Sequence, residues 1–161
     1  MKRTPRMERI EELMRSSKIV AGGFLGGDPR PLEEIIEADA AELEALGVDC
    51  RTLAARMADL RDQARRGLGD FVPVGAGLEA AANDSRGTLI CPWGDNTRHF
   101  KTLITVRRKG TDRTFRWSDL TIHLIGEHGF FQGRHSAFRL EPRELVELLF
   151  DRGGGAPAKG T

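Results

Sequence analysis

The sequence predicts an α+β protein, in which an N-terminal segment of about three helices is packed on or linked to a small antiparallel sheet with two C-terminal helices. Three observations carry that prediction. Apolar residues recur at helical spacing as far as Ala64. After Gly67-Leu68-Gly69-Asp70 the recurrence shortens to that of strands, and past Ser118 it lengthens again in two segments. The division that follows is a helical region over 1–69, an α+β region with an antiparallel hairpin and two helices over 70–151, and a tail over 152–161 expected to be disordered.

Residues 7–18 place Met7, Ile10, Leu13 and Met14 on one side of a first amphipathic helix. The stretch 21–31, AGGFLGGDPRP, breaks it and reads as a flexible connector. Gly22 and Gly27 have the spacing of a phosphate-binding loop, but Asp28-Pro29 stands where Lys-Ser/Thr is needed, so the charge is wrong for nucleotide. The second helix, 31–46, buries Leu32, Ile35, Ile36, Leu43 and Leu46, and Gly47 suits its left-handed end. Its acidic face (Glu33, Glu34, Glu37, Asp39, Glu42 and Glu44) is expected to be solvated.

Asp49 caps a third helix, 50–66, with Leu53, Met57, Leu60 and Ala64 inward and Arg51, Arg56, Arg61, Arg65 and Arg66 on its other side. The acidic and basic helices are expected to pack together with salt links at their edges. Their junction loosely follows helix-turn-helix spacing, which makes helix 50–66 a candidate nucleic-acid surface. Leu43 and Arg56 depart from that motif, standing where a small and an apolar residue are wanted.

Phe71-Val72-Pro73-Val74 is confined by its proline to a sheet edge or a loop. Residues 86–91 read as a strand. Residues 101–108 pair with 113–117 across Lys109-Gly110-Thr111-Asp112, with Ile104 and Val106 sharing one face. The hairpin 105–116 is basic and forms a second candidate nucleic-acid surface. Ser118 caps a helix that ends at His128 and Gly129, with Phe130 in the apolar place of a Schellman closure. Glu141-Pro142 opens a last helix through Phe150.

The charge balance, 25 Lys+Arg against 24 Asp+Glu, gives a net charge of +1 and no global field toward nucleic acid or anionic membrane. The basic start lacks an apolar core after it, and no apolar run approaches the ~20 residues of a membrane span. The two cysteines, Cys50 and Cys91, lie in different elements. A cytoplasmic protein without a membrane partner is expected. A homodimer through helices 7–18 and 31–46 is also compatible with their apolar stripes.

All four histidines, His99, His123, His128 and His135, lie in the C-terminal half with Cys91. At 100° per residue, His128 falls in the apolar arc of helix 119–128, and Asp119, His123 and Glu127 share the opposite side, so the two histidines are expected in different surroundings. A carboxylate beside an imidazole orients it for proton transfer, which makes His123, Glu127 and Asp119 the catalytic candidates. Gly126 in mid-helix suggests a close neighbour or ligand.

Cys91, a hairpin, and then His123-x4-His128 follow the order of a ββα zinc module. No second cysteine stands two to four residues after Cys91. The metal set is therefore Cys91, His123 and His128, with Asp95 or His99 as fourth ligand or an open fourth position, and zinc as the metal. The segment 129–136 offers Gln132, Arg134 and His135 to a small acidic ligand. Cys50, in a first helical turn, is a site where the dipole lowers a thiol pKa.

The reading that results is a binding or interaction module with its site near Cys91, helix 118–128 and loop 129–136, its partner a small molecule or a protein. The alternatives are a metal-dependent, hydrolase-like enzyme using His123, His128 and Cys91, and a nucleic-acid-binding protein.

Overall fold

Thr4 accepts a hydrogen bond from the Met7 N–H, and Pro5 follows at the first helical position, so helix α1 (Pro5–Arg15) starts before the apolar spacing alone indicates. Its last residue is Arg15, three residues short of the sequence reading, and the chain turns extended at Ser16. The computed structural model describes residues 4–150, so the tail expected over 152–161 lies outside the described residues. Helix α2 (Leu32–Leu46) closes on left-handed Gly47, and helix α3 (Cys50–Ala64) opens on the Asp49 carboxylate, which takes the Thr52 N–H.

Six strands follow: β1 (Val72–Gly75), β2 (Leu78–Asn83), β3 (Thr88–Ile90), β4 (Arg98–Phe100), β5 (Leu103–Arg108) and β6 (Thr114–Ser118). Helices α4 (Asp119–His128) and α5 (Pro142–Leu149) complete the chain, which is α+β as its sequence indicates. The main sheet is antiparallel in the order β1-β2-β5-β6, and β3 and β4 form a separate two-stranded hairpin. Ile104 pairs with Trp117 and Val106 with Phe115, placing these residues on the helix-covered face. Pro73 stands on an edge strand, with a register irregularity before Gly75.

Two apolar clusters hold the molecule together, and each draws on both sides of position 69. In one, Leu53, Met57 and Leu60 of α3 meet Leu78, Ala80 and Ala82 of β2, Ile104, Val106 and Trp117, together with α5. The other joins Ile10 and Met14 of α1, Phe24, Leu25, Leu32 and Ile35 to Cys91, Trp93, Leu120, Leu124 and Phe130. Helix α4 lies between them: Ile122 and Ile125 face the first cluster, Leu120 and Leu124 the second. Trp117 Nε1 is buried in the first with no hydrogen-bond partner.

The structure corrects several expectations. The glycine-rich stretch is no loose connector: Phe24 and Leu25 are fully buried in it, as is Asp28. The Asp28 carboxylate accepts from the Arg30 guanidinium (2.7 Å) and from the Arg134 N–H (3.0 Å), tying this stretch to loop 129–136. The acidic face of α2 is not wholly solvated, since Glu33 and Asp39 are buried. Asp39 takes a two-pronged bond from Arg139 (2.6 and 3.0 Å), and Glu42 pairs with Arg143.

The salt links expected between the acidic and basic helices lie elsewhere. Arg61 of α3 and Arg65 just past its end reach Asp119 on α4, and Arg56 pairs with Asp59 of its own helix. The cause is packing: α3 lies against α4 and the sheet, whereas α2 lies against α5. Gly126 faces that contact, where an added Cβ would stand 3.0 Å from the Ala54 Cβ, so its neighbour is helix α3 rather than a ligand. Strands β2 and β4 escaped the sequence reading. Ala80, Ala81 and Ala82 carry little strand propensity, and β4 spans only three residues.

Candidate metal centre

Strand β3 ends at Ile90, and Cys91 begins the turn that sends the chain back into β4. The Cys91 N–H donates to the Thr97 carbonyl (3.1 Å), and the Gly94 N–H to the Cys91 carbonyl (3.3 Å). Gly94 and Asn96 flank Asp95 with φ of 75° and 63°, a conformation glycine and asparagine tolerate. The Asp95 Oδ1 accepts from the Thr97 N–H (3.1 Å) and the Thr97 hydroxyl (2.7 Å). With one oxygen anchored in this way, the other is presented to α4.

That second oxygen, Oδ2, lies 2.8 Å from His123 Nε2 and 3.0 Å from His128 Nε2. Cys91 Sγ is 3.6 Å from the same nitrogen of His128. One donor atom from each of Cys91, Asp95, His123 and His128 lies within 4.8 Å of the other three. The expectation that the two histidines face different surroundings is therefore corrected. Their long side chains converge from either side of the α4 surface nearest the turn.

Around this cluster the rings are fixed. The Trp93 indole lies on the His128 imidazole, centroids 4.3 Å apart and planes 3° from parallel, and Phe130 meets Trp93 edge-on at 5.3 Å. His99 lies beside His123 at 4.2 Å. Because the Thr97 hydroxyl gives its proton to Asp95, it accepts from His99 Nε2 (2.9 Å), which assigns that nitrogen as the donor. His99 is therefore placed as a support beneath the cluster rather than in the four-donor set.

The electrostatics favour a charged carboxylate at the centre of the cluster. Burial opposes ionisation of Asp95, but hydrogen bonds from Thr97, His128 and His123 outweigh it and hold the carboxyl well below its ordinary range. Burial pushes the Cys91 thiol up to about 11. The His99 imidazole is pushed below its usual value, first by burial and then by its neighbour His123.

The remaining candidates are dispersed. Asp119, buried, serves Arg61 and Arg65, while Glu127 at the far end of the same helix is exposed, so the Asp119–His123–Glu127 row does not act on one point. Gln132 is buried, its side-chain oxygen taking the Ser136 hydroxyl and its carbonyl the Arg139 guanidinium, while Arg134 and His135 are exposed. Cys50 is half-buried, and burial raises its thiol rather than the helix dipole lowering it.

The sequence reading named Cys91, His123 and His128 and offered Asp95 or His99 as a fourth donor; the first three and Asp95 converge, and His99 lies beside them. It missed Thr97 and Trp93. The signal for Thr97 is an Asp-x-Thr turn, and for Trp93 an aromatic two residues after Cys91. Among the described residues no helix is long and apolar enough to cross a membrane. Comparison with family models, curated proteins and solved structures gave no match to this chain.

Proposed function

We propose that this protein is a zinc-binding interaction module, in which one divalent ion is held by Cys91, Asp95, His123 and His128. The observation that carries this is the convergence of four donor atoms, two from a turn and two from a helix, within 4.8 Å. A tetrahedral zinc with bonds of roughly 2.0–2.3 Å has ligand atoms roughly 3.3–3.8 Å apart. The cluster reaches that size when its two hydrogen bonds to Asp95 open by a few tenths of an ångström and its widest pairs, up to 4.8 Å, close by about 1 Å.

The chemistry of the set fits zinc: a thiolate, two imidazoles and a carboxylate anchored by its second oxygen. Four protein ligands fill a tetrahedron and leave no place for an activated water, which separates a structural site from a hydrolase. The role of the ion is to fasten the β3–β4 hairpin to α4, and through Trp93 to the N-terminal cluster.

The test is zinc and cobalt titration of chelator-treated protein, followed by elemental analysis, with Cys91→Ala and His128→Ala alongside. One equivalent of metal is expected, with a thiolate-to-cobalt charge-transfer band and the intense d–d absorption of four-coordinate cobalt. Both features are lost in Cys91→Ala. Weak five-coordinate d–d absorption would instead favour an open, water-bearing site. Absence of any stoichiometric uptake overturns the proposal.

A further inference from the structure

We propose a second binding site, remote in chemistry from the metal cluster: the free edge of β6, which takes an extended peptide whose side chains alternate apolar and acidic. In the order β1-β2-β5-β6 the sheet has two edges. The β1 edge carries Pro73 and a register irregularity, both of which obstruct strand addition. The β6 edge has neither. It lines an open groove of about 580 Å³ whose opposite wall is the segment from Ala137 to Glu141.

Ladder geometry shows which backbone groups face that groove. The Arg108 N–H donates to the Arg113 carbonyl (3.2 Å), so residues 108 and 113 form a hydrogen-bonded pair. Alternation then makes Val106–Phe115 and Ile104–Trp117 bonded pairs and turns the N–H and C=O groups of Thr114 and Arg116 outward. The next outward N–H, of Ser118, is already taken by the Thr121 hydroxyl (3.1 Å). Thr114 and Arg116 thus offer two donors and two acceptors to a guest strand.

Side chains around the groove define the guest. On the helix-covered side the lining is apolar, with Phe115 of β6 facing Phe138 and Leu140. On the other side stands Arg116, exposed and with no carboxylate partner among the described residues, and Arg113 carries its guanidinium 5.6 Å over the Phe115 ring. Arg139 on the far wall is neutralised by Asp39 and Glu141. Asp112 and Glu144 also line the groove, so its net sign is mixed and the selection rests on the strand itself. A guest residue opposite Arg116 has its Cβ about 4.5–5.5 Å away, where a carboxylate is favoured and a cation is not.

The same argument disfavours a second copy of this chain. Antiparallel pairing of two β6 strands places the two Arg116 side chains as direct or diagonal neighbours on one face, where like charges repel. Arg116 therefore protects the edge from self-association and selects an acidic guest.

The test uses a fluorescein-labelled, end-capped peptide of about eight residues alternating Glu and Val, long enough to cover the strand. Binding is read by anisotropy on the full chain and by the amide shifts of Thr114 and Arg116. Saturable binding is expected, weakened about tenfold in Arg116→Glu and equally for a Lys-Val peptide. Thr114→Pro removes an outward donor without breaking a bond to β5, and is expected to weaken binding in a protein whose circular dichroism is unchanged. No saturable response at millimolar peptide overturns the proposal. So does binding that is indifferent to both variants, or a concentration-dependent dimer that Arg116→Glu disrupts, which assigns the edge to a second copy. None of these readouts involves metal uptake, so this site and the metal centre stand or fall separately.

Discussion

Trp93 and His128 form a parallel stack, centroids 4.3 Å apart, at the point where the Cys91–Asp95–His123–His128 cluster meets the N-terminal apolar core. The chain has two tryptophans, and the other, Trp117, is buried in the other core with an unpaired indole N–H. Replacing Trp117 by Phe removes that unsatisfied donor while keeping a ring, so a loss of no more than about 1.5 kcal/mol is expected in denaturant unfolding. The variant makes Trp93 the single emitter. Its fluorescence is expected to change saturably as zinc is added, reaching a plateau at one equivalent.

Thr97 sets the direction of Asp95 by taking hold of Oδ1 twice. Thr97→Val removes the hydroxyl bond and is expected to lower zinc affinity by about tenfold or more, measured by chelator competition. Thr97→Ser retains the hydroxyl and is expected to restore most of the affinity. Equal affinities in Val and Ser variants would assign Thr97 to packing alone.

Burial holds the Cys91 thiol up to about 11, so at neutral pH the metal-free protein carries this proton. Zinc takes the thiolate and must displace it. Affinity is therefore expected to rise with pH, by close to tenfold per unit from this residue alone, as long as pH stays below the thiol value. Calorimetry in buffers of different ionisation enthalpy should register the released proton, and Cys91→Ala should register one fewer.

Asp28 behaves in the opposite sense. The Arg30 side chain, opposed by burial and aided by the Arg134 N–H, holds its carboxyl well below the ordinary 3.8. A carboxylate depressed in the folded state contributes its full stability above the unfolded value and loses it as pH falls toward the folded one. Asp28→Asn is expected to lose about 2–3 kcal/mol at neutral pH. The gap from wild type should narrow once pH drops below about 4. A gap that stayed constant through that range would remove Asp28 from the acid response.

The helices were legible because their caps and periods are local: Asp49, Ser118, Gly47 and Gly129 all occupy the end positions their chemistry suggests. Strand β2 was not, because its Ala80–Ala82 run is a strand only by virtue of its neighbours β1 and β5. The candidate donors Cys91, His123 and His128 could be named from spacing, but not their convergence. His123 and His128 are about 140° apart around α4, and a helical projection assigns such positions to different faces. What it omits is side-chain length and a turn placed between them, so that both rings reach Asp95. The fates of Asp39 and Asp28 were likewise hidden, since their arginine partners Arg139 and the Arg134 backbone lie 100 and 106 residues away.

Those separations have a consequence for how the protein is made. The Arg6 guanidinium meets the Trp93 carbonyl across 87 residues, and the cluster of Ile10, Met14, Phe24, Leu25, Leu32 and Ile35 is completed only by Cys91, Trp93, Leu120, Leu124 and Phe130. On a ribosome, the first third of this chain emerges with its apolar residues exposed and waits for the rest. At about 5–20 residues per second that interval lasts several seconds. Residues 5–35 are thus expected to settle late, after the segment that carries Cys91, Leu120 and Phe130 has been made.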